Sequence, residues 1–224
     1  MKSPAPQALV TCGPAFSPID AVRMLTNVST GTLGYHLCQA LTQRGWKVLC
    51  FKGDLATAFP KPPLPSVDLR SFGKNADLLQ MLRALPQREA IRVVFHAAAL
   101  TDFEVSSVTD PNGVALPANK ISSEIPELLL RLRPALKLLP ELSILFPNAL
   151  IVGWKFELEG TRKDALDRAA AQIEKNRTSL CVLNGSAFGP GFGILSPEGR
   201  LLEVEDRERL SEWLANWADH TRHP

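Results

Sequence analysis

The chain is poor in the residues that build disulfide frameworks and metal sites. Its 224 residues include four cysteines and four histidines. No two cysteines form a CxxC pair, and the histidines lack the spacing of metal ligands. A chain of this length can bury a core without disulfides. We therefore expect buried free thiols at Cys12, Cys38, Cys50 and Cys181, and no metal held by the protein alone.

The chain also lacks a strong net charge and long apolar segments. Its formal net charge is +2, and no basic stripe is interleaved with aromatic residues, which argues against nucleic-acid binding. The apolar runs are shorter than a membrane span, and the opening MKSPAPQALVTCG has no signal-peptide core. We expect a cytoplasmic protein that binds neither nucleic acid nor membranes.

A hydride-transfer enzyme fits the motifs poorly. Dinucleotide-binding folds place their glycines directly after the first strand, with an acidic residue about 20 positions later. Here Gly31 and Gly34 lie well beyond Gly13, and no acidic residue ends the second predicted strand. The single tyrosine, Tyr35, has Gln39 where short-chain dehydrogenases have a lysine. An NAD(P)-binding reductase or epimerase is therefore kept as an alternative only.

Short β-rich apolar runs alternate with amphipathic segments along the chain. This rhythm predicts an α/β fold, a Rossmann-like three-layer sandwich with a mostly parallel sheet and a lid or hairpin insertion, in one domain over residues 1–224. Strands are predicted at 8–12, 47–52, 67–72, 91–99, 128–132, 150–154, 180–183, 192–195 and 200–204. Helices are predicted at 32–44, 76–85, 135–146 and 162–176, with a last helix capped by Asp206.

The segment from 101 to 126 interrupts this alternation of predicted strands and helices. It is polar, carries Pro111, Gly113 and Pro117, and has no evident apolar face. Long irregular segments inside compact domains are usually functional. We predict a lid at about 102–126.

The residues from Asn27 to Gly34 precede a predicted helix. Backbone N–H groups at a helix entrance, with the hydroxyls of Ser29 and Thr30 and the Cβ-free Gly31, form a site for phosphate oxygens. The alternative is that Gly31 and Gly34 only let the helix pack against the sheet. In open α/β sheets, ligands bind beyond the carboxyl ends of the strands.

Five segments carry recognisable motifs, which follow one another along the chain. They are Gly13 with Pro18–Ile19–Asp20, Val22–Arg23 and Asn27-Val-Ser-Thr-Gly-Thr-Leu-Gly34; Ala97-Ala-Ala-Leu-Thr-Asp-Phe103; Lys120–Ile121; Gly153-Trp-Lys-Phe-Glu157; and Asn184. In this order they resemble the signature of phosphopantothenoylcysteine synthetases, and the similarity covers roughly residues 8–202.

The resemblance implies a ligase of coenzyme A biosynthesis. The carboxylate of 4′-phosphopantothenate would attack the α-phosphate of a nucleoside triphosphate, CTP or ATP, bound with Mg²⁺. The amine of cysteine would then displace the nucleotide to form an amide. The family also implies a homodimer, in which the arginine matching Arg23 serves the neighbouring subunit, and allows a separate decarboxylase partner. No flavin is expected, because the first predicted strand begins at about residue 8.

The same resemblance assigns roles to individual residues. Asn27 would be an oxyanion donor, Asp102 would accept a hydrogen bond from the ribose or the amine, and Lys120 would reach phosphate oxygens. The implied substrate- and nucleotide-binding residues are Gly13, Arg23, Ser29, Thr30, Gly31, Gly34, Ala98, Ala99, Trp154 and Asn184.

Four positions depart from the common bacterial pattern. Thr32 replaces a lysine of the phosphate loop, Ser122 and Ser123 replace two lysines after Lys120–Ile121, and Gly185 replaces an aspartate. The second and fourth segments are closer to the ATP-using eukaryotic branch than to the CTP-using bacterial one. Because these groups are missing, the protein could alternatively be a catalytically lapsed nucleotide-binding relative with a regulatory role.

Overall fold

The computed structural model describes residues 6–60, 64, 66–116 and 119–220. Pro117, which the lid prediction cites, lies outside the described residues. Within the described residues, the strands are β1 (Gln7–Pro14), β2 (Phe16–Pro18), β3 (Met24–Thr26), β4 (Lys47–Gly53), β5 (Val67–Phe72), β6 (Ile91–Ala99), β7 (Phe103–Thr109), β8 (Leu129–Pro134), β9 (Leu150–Phe156), β10 (Leu180–Gly185), β11 (Gly189–Leu195) and β12 (Leu201–Val204). The helices are α1 (Thr32–Gln43), α2 (Asn75–Arg83), α3 (Leu139–Leu145), α4 (Arg162–Asn176) and α5 (Arg207–Asp219).

Eight strands form one central sheet in the order β12-β11-β10-β9-β6-β1-β4-β5. The six strands from β10 to β5 run parallel, and β11 and β12 are antiparallel additions at one edge. The central strands β1 and β6 are continuous apolar runs because both of their faces are covered.

Helices cover both faces of this sheet. Side chains of α1 and α5 pack with Val10 and Phe95 on one face. Those of α2 and α3 pack with Leu9 and Val94 on the other face, and α4 packs there against Leu183. Neighbouring residues of a strand point to opposite faces, so the two helical layers use alternate positions. The predicted three-layer α/β fold is confirmed.

Two small hairpins were not predicted. β2 pairs with β3 inside the segment interpreted as a polar turn, and β7 pairs with β8. Residues 103–109 of the segment that the sequence assigned to a lid therefore form a strand. Local pattern could not reveal this strand, because its partner begins only at Leu129 and because, of its seven residues, only Val108 is buried.

The third helix begins later than predicted. The pattern placed its start at residue 135, but α3 begins at Leu139 with Pro140 in its first turn. Proline fits the first turn of a helix, where its missing N–H is not needed. Among the described residues, no helix combines the length and apolar character needed to cross a bilayer.

Candidate functional site

The sheet changes its direction of growth between β1 and β6. From β1 the chain adds β4 and β5 on one side, and then β6 on the other. At the carboxyl ends of the two strands, Gly13 lies opposite Ala98 and Pro14 opposite Ala99. Ligands bind at such switch points because the connecting loops diverge there and leave a crevice. The predicted residues Gly13, Ala98 and Ala99 are therefore together at this crevice.

Gly13 and Gly31 form a closely packed, Cβ-free pair. Both have positive φ, at 74° and 77°. A Cβ on Gly13 would lie 2.7 Å from the Cβ of Ala56, and one on Gly31 would lie 3.1 Å from the same atom. The sequence offered no signal for Ala56, which follows β4 and fills the space beside both glycines.

The entrance of α1 has no side-chain cap. Gly31 is its N-cap, in a left-handed conformation. The hydroxyls of Thr30 and Thr32 lie 2.6 Å apart, and the carbonyl of Thr30 accepts hydrogen bonds from the N–H groups of Thr57 and Ala58. Ser29 is half-buried in the same turn. A helix N-terminus carries a partial positive charge and spare N–H donors, so this one suits an anion.

Gly34 has a packing role in the structure. A Cβ at this position would lie 2.2 Å from the Cβ of Cys12 and 2.4 Å from its Sγ. Gly34 therefore allows α1 to lie directly on β1. Of the two interpretations left open by the sequence, close packing accounts for Gly34, whereas Gly31 lies at the helix entrance itself.

Asn27 is next to the end of β6. Its Nδ2 donates a hydrogen bond of 2.8 Å to the carbonyl of Leu100, the residue after Ala99. An amide group has two N–H donors, so one remains for a ligand. The amide of Asn27 thus lies against the backbone that directly follows Ala98 and Ala99.

Arg23 contacts the residue that follows Lys120, near the far end of the lid segment. The guanidinium of Arg23 donates to the carbonyl of Ile121 at 2.6 Å and lies 3.3 Å from the carboxylate of Asp20. Lys120 is exposed and precedes the buried Ile121. Arg23 thus joins the β2–β3 hairpin to the lid segment at the residue next to Lys120.

Three other predicted residues lie further from the glycine pair. Asp102 is exposed and forms an ion pair with Lys137. Trp154, near the end of β9, has a buried Nε1 with no hydrogen-bond partner. Asn184 is half-buried on β10, two strands from β6, and its carbonyl accepts from the N–H of Glu157.

Glu157 joins the loops that follow β9 and β10. Its carboxylate pairs with Lys155 at 3.1 Å and with Arg168 at 2.6 Å, and only 14% of its side chain is exposed. A Cβ on Gly185 would lie 2.2 Å from the Glu157 carbonyl oxygen, and Gly185 has a φ of 114°. The glycine that replaces the family's aspartate is therefore required by the local backbone.

A buried polar pair lies below the crevice and was not predicted. The hydroxyl of Thr11 and Nδ1 of His96 are 2.7 Å apart, on adjacent strands β1 and β6. Burial lowers the pKa of His96 from 6.5 to about 4, so the ring is neutral at pH 7. The available signal was a histidine inside the apolar run of 91–99.

The four cysteines are free and buried, as predicted. Cys12 and Cys50 have their Sγ atoms 3.8 Å apart between β1 and β4. Burial raises the pKa of the Cys181 thiol to about 12. In the part of the chain that the structure describes, no three His, Cys, Asp or Glu side chains are grouped as metal ligands.

A glycine-lined helix entrance at the switch point of a parallel sheet defines a class of phosphate- or nucleotide-binding α/β proteins. The chain belongs to the DNA/pantothenate metabolism flavoprotein C-terminal domain family, whose model matches residues 5–214. This assignment confirms the family resemblance seen in the five sequence segments.

The chain is similar in sequence to a protein of coenzyme A biosynthesis. It is 29% identical over 185 residues to the coenzyme A biosynthesis bifunctional protein CoaBC of Bacillus subtilis, covering 83% of this chain and 42% of that protein. The chain thus spans less than half of this relative.

The solved structures establish the fold. The DNA/pantothenate metabolism flavoprotein of Streptococcus pneumoniae has a TM-score of 0.84 and 23% identity, covering 96% of this chain and 99% of that one. A Cab2 mutant in complex with phosphopantothenate-cysteine has a TM-score of 0.70 and 16% identity, covering 96% of this chain and 87% of that one.

Proposed function

We propose that this protein is a phosphopantothenate–cysteine ligase. It would activate the 4′-phosphopantothenate carboxylate with a nucleoside triphosphate, CTP or ATP, and couple it to cysteine for coenzyme A biosynthesis. The family and the names of its relatives support this assignment. The observation that carries it is the position of Asn27, hydrogen-bonded to Leu100 beside the Gly13–Ala98 pair and a few residues before the uncapped α1 entrance.

The geometry suits the two steps of this reaction. In the first step the substrate carboxylate oxygen attacks the α-phosphorus and releases pyrophosphate. In the second step the amine nitrogen attacks the acyl carbon, and the nucleoside monophosphate leaves. The remaining N–H of Asn27 would stabilise the oxyanion that forms on the acyl oxygen.

The α1 entrance would bind the nucleotide phosphates. Its N–H groups and the hydroxyls of Ser29 and Thr30 are donors for phosphate oxygens, and Gly13 and Gly31 leave space for close approach. The first turn of α1 carries no acidic side chain, which fits a Mg²⁺-bound triphosphate in which the phosphates hold most of the metal's coordination. Mg²⁺ would neutralise charge on the phosphates during attack.

Several outer residues would complete the site. Lys120 would reach phosphate oxygens, and Asp102, oriented by Lys137, would accept a hydrogen bond from the ribose or the cysteine amine. The unpartnered Nε1 of Trp154 is a donor for the nucleotide or the pantothenate arm, and Asn184 would contact the base. With these assignments, residues 1–224 would form one ligase domain with a lid at about 102–126.

We also propose that the protein acts as a homodimer. Six exposed large apolar side chains lie on the two small hairpins, namely Val22, Met24, Phe103, Leu129, Leu130 and Leu132. The hairpins are joined by a hydrogen bond from the N–H of Val105 to Oγ of Ser17. Clustered apolar side chains on a surface favour association, and sedimentation velocity on the purified chain measures it. A separate decarboxylase would supply or consume intermediates of the same pathway.

A pyrophosphate-release assay tests the proposed activity. Release should require 4′-phosphopantothenate, and comparison of the four nucleoside triphosphates identifies the one used. Asn27→Ala should lower turnover at least about 100-fold with folding intact, because an oxyanion donor is lost. The matched control is Asn148→Ala, which removes an exposed amide in the turn before β9 and should leave turnover unchanged.

The outcomes separate the proposed ligase from its alternatives. Full activity in the Asn27→Ala protein would remove Asn27 from the mechanism. Tight nucleotide binding without pyrophosphate release by the unaltered protein would identify the catalytically lapsed relative. Enhanced nicotinamide fluorescence on titration with NAD(P)H would favour the reductase.

A further inference from the structure

The carboxylate of Asp20 accepts hydrogen bonds from its own turn and also from a distant segment. Its side chain is 0% exposed. Oδ1 accepts the N–H groups of Val22 at 2.9 Å and Arg23 at 2.7 Å, which closes the turn between β2 and β3. Oδ2 accepts the N–H of Ile121 at 3.1 Å, across a sequence separation of 101 residues. The turn backbone uses Oδ1, whereas Oδ2 binds the lid segment and lies 3.3 Å from the guanidinium of Arg23.

The peptide groups of Ile121 are held on both sides. Asp20 accepts from the Ile121 N–H, and the guanidinium of Arg23 donates to the Ile121 carbonyl at 2.6 Å. The Ile121 side chain is itself buried, with 2% exposure. Its sequence neighbours Lys120 and Ser122 are exposed. A fixed peptide group at 121 therefore fixes the point from which the Lys120 side chain leaves the protein.

Asp20 is ionised in this environment. Burial alone would raise the pKa of its carboxyl group, but the N–H groups of Val22, Ile121 and Arg23 and the nearby guanidinium together lower it below the usual value. Hydrogen bonds to a charged acceptor are stronger than neutral ones. The contact with Ile121 is thus a charge-assisted bond between two distant segments.

We propose that Asp20 is a positioning residue for Lys120, acting through the Ile121 peptide group. This inference deepens the proposed function, because Lys120 matters only if its amine reaches the substrate phosphates. The β2–β3 hairpin, which also carries the exposed Val22 and Met24, would in this way determine the position of Lys120 in the lid segment.

Limited proteolysis tests the contact without any need for activity. Trypsin cleaves the Lys120–Ile121 bond, whose nitrogen carries the N–H bound by Asp20. Asp20→Asn keeps one oxygen for the turn but presents an NH₂ group, which cannot accept a hydrogen bond, to Ile121. Cleavage at this bond, followed by mass spectrometry, should become at least about tenfold faster. Asp206→Asn is the matched control, because the contacts of the Asp206 carboxylate, with the N–H and the guanidinium of Arg209, are local.

A double-mutant cycle tests the link to Lys120. Asp20→Asn should raise the KM for the nucleoside triphosphate at least about tenfold in the unaltered background. In the Lys120→Ala background, Asp20→Asn should have little further effect, because Asp20 acts through that lysine. Additive effects in the cycle would show a general structural role and overturn the proposal.

The proteolysis result is independent of the proposed function. Unchanged cleavage at Lys120 in folded Asp20→Asn overturns the positioning contact, whatever reaction the protein catalyses. Faster cleavage in a protein without ligase activity would instead overturn the proposed function together with the role of Lys120. If Asp20→Asn does not fold, Arg23→Gln removes the other half of the contact and should give the same faster cleavage.

Discussion

The buried Thr11–His96 pair makes the stability of this protein dependent on pH. His96 has a pKa of about 4 in the folded protein and 6.5 in the unfolded chain, because burial disfavours the imidazolium. The unfolded state therefore binds more protons between these values. The stabilisation is complete above pH 6.5 and is lost as the pH falls towards 4. From the two pKa values, acidification from pH 7.5 to pH 5 should remove about 2 kcal/mol.

The double variant Thr11→Val, His96→Leu isolates this effect. Both polar groups are replaced by apolar ones of similar size, so no buried donor or acceptor is left unpaired, and stability at pH 7.5 should change little. Urea unfolding at 25 °C, followed by tryptophan fluorescence at pH 7.5, 6.5, 5.5 and 5.0, measures the free energy of unfolding. The double variant should lose about 2 kcal/mol less than the unaltered protein between pH 7.5 and pH 5.

The control is His220→Gln, which removes an exposed histidine at the end of α5 and should leave the pH dependence unchanged. Equal acid-induced losses in the unaltered protein and the double variant would refute the reasoning. In that case His96 would be protonated in the folded state, or its ring would reach water.

Two glycines provide further predictions. Gly34→Ala should lower the free energy of unfolding by about 1–3 kcal/mol, because the new Cβ would lie 2.2 Å from the Cβ of Cys12. An unchanged urea midpoint for this variant would show that α1 can move away from β1 without loss of stability. Gly185→Asp, which introduces the residue usual in the family, should cost more than about 2 kcal/mol, since φ is 114° and the Glu157 carbonyl oxygen lies 2.2 Å from the Cβ position. Thermal unfolding measures this second loss, and a stable Gly185→Asp protein would contradict the close-approach argument.

Elements that depend on local interactions were predictable from the sequence. The helix predicted at 162–176 is α4, Arg162–Asn176, because Thr161 and Asp164 cap each other's backbone N–H groups within one turn. The strands predicted at 67–72 and 91–99 are β5 and β6 with the same bounds. When a short apolar segment lies between clear turn residues, the first and last residues of the strand can be predicted closely.

The family motifs indicated the crevice but not all of its contacts. The family resemblance assigned Gly13, Ala98, Ala99 and Asn27 to the site; Gly13 lies opposite Ala98 at the ends of β1 and β6, and Asn27 is hydrogen-bonded to Leu100, which follows Ala99. Ala56, which packs against both Gly13 and Gly31, was not expected. A small residue in a loop has no distinctive pattern, and its importance depends on what lies opposite it.

The sequence by itself determined the alternation of strands and helices, the buried state of the cysteines and the helix entrance that follows Asn27. These features depend on periodicity, capping and hydrophobicity over a few residues. Only the tertiary structure decided the contacts between distant segments. Asp20 meets Ile121 across 101 residues, and Thr11 meets His96 across 85. Such pairs form because the strand order of the sheet and the docking of the hairpins bring them together, and no local pattern encodes that arrangement.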